Sequence, residues 1–158
     1  MKGISDAIYL FIFFIAFALA IIFSGYFTSK VFPYVNQTLN NTNTSALLQS
    51  GEDFVNNLDY VFAIVFIGAG IVAVILSFFV ESHPVFFIFA FILAIILVFV
   101  GTYLRDWFLS IISNSELSSV ANRFPITTTI MQYYPLAILV IILIIAFVMY
   151  AKGGGVGL

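Results

Sequence analysis

Four stretches of this 158-residue chain, at about 7–28, 60–80, 85–104 and 127–150, run without a single charged side chain. The hydrocarbon core of a bilayer is ~30 Å thick, and a helix needs about 20 residues to cross it. In lipid the backbone must satisfy its own hydrogen bonds, which leaves helices or closed barrels. Continuous apolar runs without alternation select helices. Composition agrees: 63% of the residues are hydrophobic and 8% charged, against roughly 25% charged in a soluble domain. So few charges cannot cover a surface in water. The predicted fold is all-α, an integral membrane four-helix protein forming one domain over residues 1–158.

The first span contains Ala18-Leu19-Ala20, which resembles a signal-peptide cleavage site, but the apolar run continues through Ile21, Ile22 and Phe23. It therefore reads as a retained anchor. The fourth span is less regular. Residues 136–151 alone number sixteen, too few to cross. The helix is expected to begin near Ile126 or Thr127 and to pass through Pro135 with a kink. Pro125 then stands at or just before its first turn, where proline is tolerated.

Glu81, Ser82, His83 and Pro84 separate the second and third spans, a connection short enough to make them antiparallel neighbours. Ser82 suits an N-cap and Pro84 a first helical turn. Glu81 and the chain's single histidine, His83, read as interfacial residues of a tight hairpin. The alternative is a proton-relay or metal role, the latter needing ligands from another chain.

Four spans put both termini and this turn on one side, and the long loops, 29–58 and 105–125, on the other. Lys2 and Lys152 flank one side, while Lys30, Arg105 and Arg123 flank the other, a count that favours the long loops inside. Against this, "NQTLNNTNTS" carries glycosylation sequons at Asn36, Asn40 and Asn43, and Glu52, Asp53 and Asp59 follow. The expectation adopted is that the long loops face outward.

Both loops carry structure. Ser113 and Glu116 fit a capping box, and Leu117, Val120, Ala121 and Phe124 then form one apolar stripe before Pro125. A short amphipathic helix is expected, flat on the membrane or a partner, or packed on the chain's own first loop. Arg105 and Trp107 read as interface anchors, Arg105 reaching for headgroups; an Arg105–Asp106 pair at an intersubunit contact is the alternative. Phe54, Leu58 and Val61 continue the spacing of the second span outward, so helices two and three are expected to project beyond the lipid.

Gly68, Ala69, Gly70 and Ala73 cluster within the second span, with Ala69 and Ala73 as a small-xxx-small pair; Gly101 and Thr102 do the same for the third. These are helix-packing positions. Intramembrane charge, the usual mark of pumps and coupled transporters, is lacking. Ser24, Thr28, Ser77 and Thr102 are the hydroxyls from which an oligomeric pore would be lined. There is no cysteine, hence no thiolate site, and no nucleophile elbow, HExxH or phosphate loop. The tail "GGGVGL" lacks strand–turn–helix context, and a neighbouring subunit is the simplest thing to hold it. Net charge is −2, which offers nothing to nucleic acid. No enzymatic activity, cofactor or metal is expected.

The Glu-Ser-His-Pro-Val-Phe-Phe segment from Glu81, the Phe124-Pro125 pair before the last span and the closing Met-Tyr-Ala-Lys from Met149 resemble small multi-pass membrane proteins encoded by viruses of bacteria and archaea. The likeness covers the second half of the chain. It implies a membrane component of a lipid-containing virion, partnered by lipid and by other membrane or capsid subunits or copies of itself. A holin-like pore former and an accessory subunit of a membrane enzyme are the alternatives.

Overall fold

In a computed structural model, the structure describes residues 2–39, 42–79 and 84–153. Glu81, Ser82, His83, Asn40 and the glycine tail from residue 154 lie outside the described residues. The described chain is helical throughout, apart from short turns: α1 (Lys2–Leu39), α2 (Thr42–Ser77), α3 (Pro84–Ile112), α4 (Ser115–Ala121), α5 (Pro125–Gln132) and α6 (Tyr134–Gly153). Four of these, α1, α2, α3 and α6, are long and apolar enough to cross a membrane, which marks the chain as an integral membrane protein. At 1.5 Å per residue, α1, α2 and α3 are ~57, ~54 and ~44 Å long, beyond the ~30 Å of hydrocarbon. Pro84 is the first residue of α3, where its missing N–H costs nothing.

Three boundaries differ from the sequence expectations, each for a physical reason. Residues 29–39 and 42–58 are not loop but helix. The polar half of α2 lacks an apolar run, yet Val55 and Phe62 are buried and give that half a packed face. The buried positions stand one residue on from Phe54 and Val61, which are exposed. Residues 105–112, also assigned to a loop, complete α3. The last span is not one kinked helix from 127: α5 ends at Gln132 and α6 starts at Tyr134, with Pro135 in its first turn. Proline has no N–H to return to the carbonyl four residues earlier, and its ring crowds that carbonyl. The twenty residues of α6 rise ~30 Å, enough to cross unaided.

The cap of α4 also moves. Asn114, not Ser113, is the N-cap, its Oδ1 accepting from the Glu116 amide at 3.2 Å. The Ser113 hydroxyl instead donates to the Ser110 carbonyl at 2.8 Å. With Asn114 as the cap, Glu116 stands at the second helical position and not the third, so no capping box closes; its carboxylate accepts from the Tyr26 hydroxyl at 2.8 Å.

The chain divides into two compact units. The first comprises Met1–Ile64 and Trp107–Gln132, the second Val65–Asp106 and Tyr133–Leu158. In the first, Phe14 and Phe17 of α1 meet Phe62 of α2 with ring centroids 6.2 and 5.7 Å apart. Here α1 also packs on α4 and α5. The apolar stripe of α4 is turned inward: Val120, Ala121 and Phe124 are buried, so the face that would have lain on a membrane is covered. Gly25 makes this approach feasible. A Cβ there would overlap the Phe124 ring and stand 2.9 Å from Val120 Cγ1.

In the second unit Phe66 meets Tyr134 with centroids 5.9 Å apart. Of the small residues named from the sequence, Gly70 faces Ile141, a Cβ there lying 3.1 Å from its Cδ1, and Gly101 faces Ile138 and Pro135. Ala69 and Ala73 are half-buried. Gly68 has nothing within 4 Å of a built Cβ.

Candidate functional site

The densest polar constellation lies in the first unit, along one face of α2. Glu52, Asn56 and Asp59 follow the i, i+4, i+7 spacing that stacks side chains on one side of a helix. Each holds part of the connection between α4 and α5. Asp59 is only 4% exposed. Its Oδ2 accepts from the Ile126 amide at 3.0 Å and its Oδ1 from the Thr127 amide at 2.6 Å.

These are the amides a helix beginning at Pro125 leaves unpaired. The N-cap position falls to Phe124, whose side chain has no acceptor and is fully buried. Asp59 supplies the missing cap from another helix, and its charge complements the positive end of the α5 dipole. A buried carboxylate is costly unless paired, and here both oxygens are engaged.

One turn out, the Arg123 guanidinium donates to Glu52 Oε1 at 2.6 Å and to Asn56 Oδ1 at 3.0 Å. The pair is part-exposed. The Thr127 hydroxyl, fully buried, has no partner. Beside the clasp a half-polar cleft of about 590 Å³ opens, lined by Thr28, Phe32, Asn36, Gln49, Glu52 and Arg123 among others. The arrangement orders helices. Asp59's acceptor capacity is spent on backbone amides rather than offered to a substrate.

The residues singled out from the sequence do not converge on this clasp. Arg105 pairs with Asp106 at 3.3 Å in the second unit, and its Nε is buried without a partner. Trp107 is half-exposed. Asn36 is helical and its Oδ1 accepts from the Ser45 hydroxyl at 2.8 Å, while its sequon partner Thr38 donates to the Tyr34 carbonyl at 2.8 Å. Asn43 lies in the first turn of α2.

The hydroxyls considered for a pore all bond back to their own helices. Ser24 donates to the Ala20 carbonyl, Thr28 to Gly25, Ser77 to Val74 and Thr102 to Val98. Among the described residues no group of three or more His, Cys, Asp or Glu is placed to hold a metal.

In the second unit an almost wholly apolar groove of about 560 Å³ runs between α2 and α6, lined by Phe66, Gly70, Val74, Tyr133, Ala137 and Ile141 among others. Sequence reasoning missed Asp59, Asn56 and Arg123 as a group. The one local signal was a helix opening at Pro125 with no capping residue of its own.

The chain matches no protein-family model, no curated protein and no solved structure.

Proposed function

We propose that this is a structural, assembly-type integral membrane protein, a subunit that packs laterally in a membrane. The membrane of a lipid-containing virion is the setting that the resemblance of its second half implies. The supporting observation is the use to which buried charge is put. Asp59, the one buried carboxylate among the described residues, is spent on capping α5. Proton relays and coupled transporters need such groups free to change partners.

The apolar surface points the same way. Only 17% of the most apolar stretch of α2, and the same share for α6, is buried within the chain. The remainder is left for lipid or neighbouring subunits. The long helices carry polar segments at one end, and these are assigned to the outer face.

Extraction of the native membrane or particle in mild detergent, followed by sizing and identification of what copurifies, tests this. A large species, made of many copies or of the chain with defined partners, is expected. A stable lone monomer contradicts it.

A further inference from the structure

We propose that the half-polar cleft beside the clasp, between α1 and α2 in the first unit, binds a neutral sugar. Such a site is independent of the structural role proposed above.

The cleft holds hydrogen-bonding groups that the fold does not use. Gln49 is exposed and has no hydrogen-bond partner among the described residues; its amide both donates and accepts. Asn36 spends Oδ1 on the Ser45 hydroxyl, which leaves its N–H pair to donate. Arg123 makes both of its bonds through Nη2, so Nη1 and Nε remain. Glu52 engages Oε1, and its other oxygen is left to accept. A backbone acceptor joins them. Pro33 lies inside α1 and has no N–H to return to the Ser29 carbonyl one turn back. Ser29 and Pro33 both line the cleft.

Part of the wall is apolar. The Phe32 ring is half-buried and seated against Gly51, where a built Cβ would lie 3.1 Å from it. It offers a fixed apolar face among these polar groups.

These features select the ligand. Glu52 and Arg123 are the charged lining residues and neutralise each other at 2.6 Å, so no net charge is left to hold an ion. An acyl chain would strip water from the polar groups and return no bonds. A peptide backbone offers one donor and one acceptor per residue at fixed spacing. A pyranose carries adjacent hydroxyls that each donate and accept, together with a face of C–H groups for Phe32. The cleft volume, about 590 Å³, lies within the ~300–1,000 Å³ of ligand pockets.

The Gln49 side chain serves as the reporter. The chain has three glutamines, Gln37, Gln49 and Gln132, and of these only Gln49 lines the cleft. Full-length chain with isotope-labelled glutamine, in a detergent without a sugar headgroup, is titrated with glucose, galactose, mannose and N-acetylglucosamine. At least one is expected to shift the Gln49 side-chain amide saturably in NMR spectra and to leave Gln37 and Gln132 in place. Gln49→Ala and Asn36→Ala are each expected to weaken its affinity in calorimetry roughly two- to tenfold, the worth of one neutral hydrogen bond, and Gln37→Ala to leave it unchanged. Galactosyl diacylglycerol in the micelles, without free sugar, distinguishes the source. A Gln49 shift then assigns the site to a lipid headgroup; a response to free sugar alone assigns it to a soluble saccharide.

No saturable shift with any of these sugars, or equal shifts of Gln37, Gln49 and Gln132, overturns the site. Binding that neither Gln49→Ala nor Asn36→Ala weakens overturns it too. Tighter binding of glucuronate, glucosamine or a blocked neutral dipeptide than of every neutral sugar overturns the ligand class.

Discussion

The carboxylate of Asp59 and the backbone amide of Thr127 meet at 2.6 Å, joining α2 to the start of a helix 68 residues further along the chain. A second bond to Ile126 makes this a two-point cap. The first unit is held by this polar clasp on one side of α2 and by the Gly25–Phe124 approach on α1.

Replacing Asp59 with Ala leaves two amides without acceptors, that of Thr127 buried and that of Ile126 part-buried. At about 1–3 kcal/mol for each orphaned group, a loss of roughly 2–5 kcal/mol is expected. Asp59→Asn keeps one acceptor and loses less. Hydrogen exchange in detergent micelles reads the effect: the Ile126 and Thr127 amides lose protection first in Asp59→Ala, and α6 amides keep theirs.

Gly25 and Gly68 are predicted to respond oppositely to a methyl group. Gly25→Ala drives a Cβ into the buried Phe124 ring, an overpacking expected to cost about 1–3 kcal/mol. Combining it with Phe124→Leu recovers part of the loss in a double-mutant cycle. Gly68→Ala meets nothing and gains up to about 1 kcal/mol of helix propensity. Thermal unfolding of the purified chain distinguishes the two signs.

Arg123 and Glu52 are close but part-exposed, so their coupling is expected within the ~0.2–1 kcal/mol of exposed ion pairs. It should weaken as salt is raised from 0.05 to 0.5 M, over which the Debye length contracts. A cycle of Arg123→Ala and Glu52→Ala at both salt concentrations measures it. Both hydrogen bonds leave one nitrogen, Arg123 Nη2, so Arg123→Lys, whose ammonium carries three donors, is expected to keep part of the coupling where Arg123→Ala loses all of it.

If all four long helices cross, as the proposed membrane role requires, the polar α1–α2 end and α4 are expected on one side of the membrane and the N-terminus on the other. Single cysteines at Ala46 and Ser115 are expected to react with an impermeant maleimide from the same side, the outer one, and a cysteine at Ser5 only after permeabilisation. Labelling of Ser5→Cys together with Ala46→Cys in intact membranes would contradict the topology.

What was legible in the sequence was set by absence of charge. Uninterrupted apolar runs located the four long helices, because lipid tolerates little else. The polar half of α2 escaped notice because Val55 is set among Asn, Asp and Glu, and only packing on α1 reveals which face is inward. The clasp escaped for a different reason. Capping signals are read from neighbours a few residues apart, and Ser113 and Glu116 made a plausible local set. Asp59 caps a helix that tertiary structure alone brings to it, and the cap's move to Asn114 takes Glu116 out of the third helical position. Pro135 was visible, but whether it kinks one helix or separates two depends on the carbonyls around it.

Native mass spectrometry of the chain released directly from its own membrane tests most directly whether this is an assembly subunit. The result predicted is a dominant species at multiples of the chain's mass, or at the mass of the chain with defined partners. A spectrum dominated by single chains carrying lipid alone, from membranes in which the chain is abundant, would contradict it.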